Sequence, residues 1–188
     1  MCGEVHRLRI HAYVQRQVRN RIRGKNDTIL VVVIWCENAR AANKPYTRRL
    51  LPEFLIPGCV IRLDDVQEAY EARRTGAHSD RLCTILGCLD DRTARRHLFR
   101  YEEALEAAAL TLAERRAMSP ELGDLPETTP DTSSADRLER LWQAEQLAWQ
   151  RRGELFPPMS VRQLLQTALR KSRRQKPSSC VSVDPRPP

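Results

Sequence analysis

The sequence predicts a mainly α-helical protein that opens with a small β-hairpin or meander. Three observations carry this expectation. Polar and apolar residues alternate with period two in the first third of the chain, which suits strands with one wet face. Beyond a proline-bounded connector at residues 51–62 the apolar period becomes 3.6, the spacing of amphipathic helices. The charge divides at nearly the same place. Residues 1–50 hold eleven basic and three acidic residues, whereas residues 51–188 hold 21 of each, so the formal charge of +8 resides in the first quarter.

The strands come first. Val5–Ile10 and Tyr13–Arg19 alternate, Gly24-Lys25-Asn26-Asp27 is a turn cluster, and Ile29–Trp35 is a β-branched run suited to a buried strand. The connector, Leu51-Pro52-Glu53-Phe54-Leu55-Ile56-Pro57-Gly58, resists helix because each proline disfavours it at the preceding residue. Leu63, Val66, Ala69 and Tyr70 then share one face of a helix. Asp64 and Asp65 sit in its first turn, where acids suit the helix dipole, and Gly76 ends it. Ser79 or Asp80 is expected to cap a short helix stopped by Gly87, and Asp90 or Asp91 the next. That helix is expected to run on through the Ala-rich 102–116 segment with a break near Tyr101.

Residues 118–135, rich in Pro, Ser, Thr and acids and without Lys or Arg, have linker composition. Helices follow at 136–152, with Leu138, Leu141, Trp142, Glu145 and Trp149 in register, and from 161, capped by Ser160. The expected organisation is a basic hairpin and connector (1–58), a helical unit (59–117), an acidic linker (118–135), a C-terminal helical pair (136–176) and a disordered tail (177–188).

The segment from Leu63 to Arg100 carries the strongest functional pattern. A helix, a short helix, a Gly-containing turn and a capped Arg-rich helix make the layout of a helix-turn-helix followed by further helices. Leu82, Ile85 and Leu86 are expected to face the core, with Ala94 and Leu98 burying the second helix. Arg92, Thr93, Arg95, Arg96 and Arg100 then project outward, where Arg pairs with guanine edges or with phosphates. The turn reads one residue longer than the tightest form. Nine basic against eleven acidic residues in 63–117 leave binding to one local face. The hairpin's excess charge, with Arg16 and Arg19 on its strands, suits a grip on the backbone of double-stranded DNA.

Cys2 and Cys36 flank the hairpin as half of a zinc-ribbon-like pattern. Zinc needs four ligands, and an intact ribbon has two Cys-x-x-Cys knuckles. Here Ala39 stands at one partner position and the other falls before Met1, so the site is incomplete. His6 and His11 are the only substitutes nearby, and strand alternation turns such residues outward. Cys83 and Cys88 read as packing residues.

The ribbon-like hairpin, Leu51-Pro52-Glu53-Phe54-Leu55-Ile56-Pro57 and Leu86–Arg96 together resemble an uncharacterised bacterial family. Members of that family are similar to the DNA-recognising N-terminal part of insertion-sequence transposases. The resemblance covers residues 2–100 and implies DNA contact by the 79–100 unit. Its missing ligands leave two alternatives open, a truncated copy or a member that has lost its metal.

Several classes are excluded on sequence grounds. The longest apolar run, Ile29–Cys36, is too short to span a bilayer, and the N-terminus lacks a secretory h-region. Six irregularly spaced Cys argue for a reduced cytoplasmic setting. No nucleophile triad, glycine-rich phosphate loop or metalloprotease motif is present, and almost no strand pattern follows residue 62, so no enzyme and no cofactor is expected, zinc belonging only to an intact member of the resembled family. The alternative reading is a helical protein-interaction or dimerisation module, or a transposase remnant, without specific DNA binding; the C-terminal helices either dimerise or, as the favoured expectation, fold back onto the long helix near 101–117.

Overall fold

The computed structural model describes residues 8–37, 47–119, 126, 129, 132–153 and 159–174. Three antiparallel strands, β1 (Leu8–Asn20), β2 (Lys25–Cys36) and β3 (Thr47–Leu50), form a sheet in the order β1-β2-β3. The meander is therefore present, and the two alternating stretches of its first arm are one strand. A register shift between Ile10 and Ala12 leaves His11 as the bulged residue. One face presents Val14, Val18, Val31 and Val33 inward. The opposite face carries Leu8, Ile10, Tyr13, Leu30 and Leu50, all exposed.

Five helices follow among the described residues: α1 (Leu63–Arg74), α2 (Ser79–Leu86), α3 (Asp91–Met118), α4 (Ser134–Arg151) and α5 (Val161–Arg174). The apolar residues expected on α1 are all buried. On α2 the cap differs from expectation. His78 is the N-cap residue and makes no side-chain cap bond, while Ser79 and Asp80 already lie within the helix. On α3 the cap is Asp90, whose side chain accepts from the Thr93 N–H at 2.7 Å.

α3 runs unbroken for 28 residues, roughly 42 Å at 1.5 Å per residue. The expected break near Tyr101 does not occur. Tyr101 belongs to a buried stripe, Ala94, Leu98, Tyr101, Leu105, Ala108 and Leu112, whose alternating steps of four and three keep one face inward. Its ring meets Tyr70 of α1 edge-on at 5.5 Å. Each fully buried Leu on this stripe contributes about 1.5–3 kcal/mol.

The C-terminal helices fold back on this spine. Leu138, Leu141 and Ala148 of α4, and Leu164, Leu165, Ala168 and Leu169 of α5, bury their faces against α3, and one core cluster runs from Ile56 to Leu169. The apolar faces that sequence reading offered for self-association are thus used inside the chain. Polar ties secure the arrangement. Buried Gln166 donates to the Pro52 and Leu55 carbonyls at 2.6 and 2.8 Å, and Arg74 pairs with Asp136 at 3.0 Å. Ser160 caps α5 through the Gln163 N–H and also donates to Glu53 at 3.0 Å.

Among the described residues no helix is long and apolar enough to cross a membrane. Most of the expected linker and the whole 177–188 tail lie outside the described residues.

Candidate nucleic-acid interface

The surface around the α2–α3 turn is built from two distant parts of the chain. α2 ends at Gly87, whose φ of 61° is left-handed, and the Gly87 and Cys88 N–H groups both bond the Cys83 carbonyl. A helix C-terminus leaves further carbonyls without partners. The hairpin supplies them. Arg19 of β1 donates from Nη1 to the Ile85 carbonyl at 2.8 Å and from Nη2 to the Thr84 carbonyl at 3.2 Å. This places a positive charge at the negative end of α2.

Gly87 therefore has two reasons to be glycine. Its φ disfavours any side chain, and a Cβ there would lie 1.8 Å from Arg19 Cζ. Gly87→Ala is expected to cost about 1–2 kcal/mol for the left-handed backbone, plus the loss of the Arg19 cap. In an Arg19→Ala background only the backbone cost remains. Denaturant midpoints of the two single variants and the double variant measure the difference, and strict additivity would show that Arg19 and Gly87 do not interact.

Two more arginines fasten the hairpin. Arg16 donates from one guanidinium nitrogen to the Ile56 carbonyl and to the Cys59 carbonyl at 2.5 Å. Arg21 binds both oxygens of Glu68 and approaches Asp65 at 3.5 Å. The Arg21 hydrogen bond holds the Glu68 carboxyl below its ordinary range. Arg16 and Arg19, expected on the nucleic-acid backbone, thus direct their guanidinium groups at the protein's own main-chain carbonyls.

The residues expected on α3 differ among themselves. Arg92, Arg95 and Arg96 are exposed. Arg95 pairs with Asp91, one turn earlier, at 2.5 Å. Thr93 is half-buried, and both its N–H and its side chain bond Asp90. Those bonds, the backbone one first, hold the Asp90 carboxyl below its ordinary range. The cap contributes stability above that range and loses it as the pH falls through the lowered value. Arg100 is half-buried, with Nη2 enclosed and lacking a hydrogen-bond partner. Burial first, and then Arg100 and Arg96, push the His97 pKa down, so this imidazole is neutral at physiological pH.

The cations give way along α3. Glu102, Glu103 and Glu106 occupy the next turns, with exposed Phe99 at the boundary. The exposed arginines Arg92, Arg95 and Arg96 therefore lie in the first two turns, ahead of these acids.

The hairpin tip faces those turns. A cleft of about 480 Å³ is lined by Arg19, Lys25 and Asn26 on one side and by Gly87, Thr93 and His97 on the other. Lys25 has no ion-pair partner among the described residues, and exposed Arg23 pairs only loosely with Asp27 at 3.6 Å. Local pattern had no means of finding this juxtaposition, because Arg19 and Ile85 lie 66 positions apart.

Cys36 is buried at the end of β2, opposite Leu8, while Cys2 lies outside the described residues. Among the described residues no three His, Cys, Asp or Glu side chains converge as metal ligands. Cys36 alone does not make the donor set that zinc requires.

Comparison with known proteins finds no matching family model, curated relative or solved structure.

Proposed function

We propose that this chain is a non-catalytic DNA-binding protein of helix-turn-helix type, in which α2, the Gly87 turn and α3 form the reading unit. The first two turns of α3 enter the major groove end-on, with Arg92, Arg95 and Arg96 meeting base edges and phosphates. Thr93 and Arg100 support that end of the helix, Thr93 through the cap. The hairpin tip, with Arg23 and Lys25, meets the adjacent phosphate backbone. Arg16, Arg19 and Arg21 hold the tip in position. The single observation that carries this reading is the cleft where the basic tip and the N-terminal turn of α3 face each other.

Charge supports it as well. The +8 excess belongs to the hairpin segment, and Glu102, Glu103 and Glu106 in the middle of α3 disfavour contact just beyond its Arg-rich beginning. The described sheet is a three-stranded antiparallel meander, whereas a catalytic transposase core requires a mixed sheet carrying metal-binding acids. The resemblance to the recognition part of transposases supports a mobile-element or regulatory setting.

Salt dependence of duplex binding tests the two-part surface. Each phosphate contact adds about 0.9 to the slope of log affinity against log salt. Replacing Arg23 and Lys25 together with Ala is expected to lower that slope by about 2 and weaken all duplex sequences equally. An unchanged slope would remove the tip from the interface.

A further inference from the structure

The α2–α3 turn also brings two thiols together. Gly87 in the left-handed conformation, with the Cys88 N–H bonding the Cys83 carbonyl at 3.1 Å, is the six-to-one bond of a Schellman ending. In this motif the side chains flanking that bond pack on each other, and here both are cysteines. The Cys88 Sγ lies 4.0 Å from the Cys83 carbonyl oxygen, and the Cys83 thiol is near enough to help raise the Cys88 pKa. Both residues are free and only partly buried, and Cys88 lines the cleft between hairpin tip and α3. A disulfide requires two cysteines close in space, and the six-to-one bond brings these two residues to the same turn.

We propose that Cys83 and Cys88 are a reversible oxidation site, closing to an intramolecular disulfide when the protein meets a low-molecular-weight disulfide of the glutathione type. One protein thiol loses its proton and attacks the oxidant, breaking the oxidant's S–S bond and releasing one small thiol. The second protein thiol then loses its proton and attacks the mixed disulfide. The Cys83–Cys88 bond forms and a second small thiol leaves, so two electrons and two protons pass to the oxidant. Burial and the neighbouring thiol hold the Cys88 pKa up at about 11, so this thiol is protonated at neutral pH.

The location gives the bond a consequence. Cys88 is two residues before Asp90, the cap of α3. Drawing its sulfur onto Cys83 shifts the start of the helix that carries Arg92, Arg95 and Arg96. This consequence rests on the DNA-binding reading, whereas the chemistry does not.

The test uses the full chain, treated with oxidised glutathione, alkylated without reduction and cleaved after Arg and Lys. Arg81 and Arg92 bound a single fragment, Leu82–Arg92, that contains Cys83 and Cys88 and no other cysteine. The expected result is that fragment lighter by two hydrogen atoms and unalkylated, restored to the alkylated form by prior dithiothreitol. Cys88→Ser is expected to stop the reaction at a stable glutathione adduct on Cys83. Two alkylated thiols, a persistent adduct in the unmodified chain, or a link to another cysteine would each overturn the proposal.

Duplex affinity of the two forms is read separately. Oxidation is expected to weaken binding about tenfold, the equivalent of about 1.4 kcal/mol. Equal affinities would overturn the regulatory consequence. Absence of binding in both forms, with the disulfide formed, would count against the DNA-binding reading alone.

Discussion

Reversing Arg92, Arg95 and Arg96 to Glu is expected to abolish duplex binding while leaving the helical circular dichroism unchanged. Each contact from these side chains to a base or phosphate is worth about 1–3 kcal/mol, so losing three weakens specific affinity by at least a hundredfold. The new carboxylates repel the phosphates and remove residual non-specific binding. Folding tolerates the change because all three residues are exposed at the start of α3, where the helix dipole favours acids. The one local penalty is a like-charge pair between Glu at position 95 and Asp91, worth a few tenths of a kcal/mol. Titration of a labelled duplex with both proteins provides the check. Retained binding by the reversed variant would eliminate α3 as the reading element.

The second large effect concerns stability. Glu145 of α4 is fully buried, yet among the described residues it accepts only from Arg115 of α3 at 3.2 Å and from Trp149 at 3.4 Å. Its Oε2 has no hydrogen-bond partner. Glu145→Ala leaves the Arg115 guanidinium without its acceptor at a largely buried seam and opens a cavity beside α3. The expected cost is about 3 kcal/mol, the lower end for breaking a buried pair, because the Arg115 side chain keeps 28% exposure. Replacing both partners, Glu145→Leu with Arg115→Leu, removes the desolvated charges together and is expected to restore most of that loss. Denaturant unfolding of the three proteins distinguishes the outcomes. A Glu145→Ala variant within about 0.5 kcal/mol of the parent would show that the pair does not hold α4 on α3.

The elements of the fold were largely legible because their signals are local. Alternation marked the strands, and the spacing of Leu63, Val66, Ala69 and Tyr70 marked α1. The acids at Asp90 and Asp91 marked the start of α3, and the structure assigns the cap to Asp90. Errors arose where a local cue competed with packing. The Arg-rich and Ala-rich halves of α3 suggested a break, but Tyr101 continues the buried stripe between Leu98 and Leu105 and the helix runs through. Ser79 had the chemistry of a cap, yet the chain enters α2 at His78.

The candidate site was legible only in part. Arg92, Arg95 and Arg96 could be placed outward from helical period alone, because an exposed side chain needs no partner to set its direction. Arg16 and Arg19 could not be placed in that way. Alternation assigns a strand residue to a face but does not say what covers that face, and here the connector and the end of α2 lie against it.

The sequence by itself determined that a basic β-hairpin precedes a set of amphipathic helices, that Gly87 and an acid at Asp90 or Asp91 punctuate the α2–α3 turn, and that Arg92, Arg95 and Arg96 face solvent on α3. These follow from period, turn chemistry and capping, which act within a few residues. Only the tertiary structure decided that Arg19 caps α2, that the hairpin tip stands across a cleft from α3, that the Cys88 N–H bonds the Cys83 carbonyl, and that α4 and α5 close onto the spine. Those outcomes depend on which buried carbonyls and apolar faces lack partners once the chain has folded, and their partners come from the far side of the sequence.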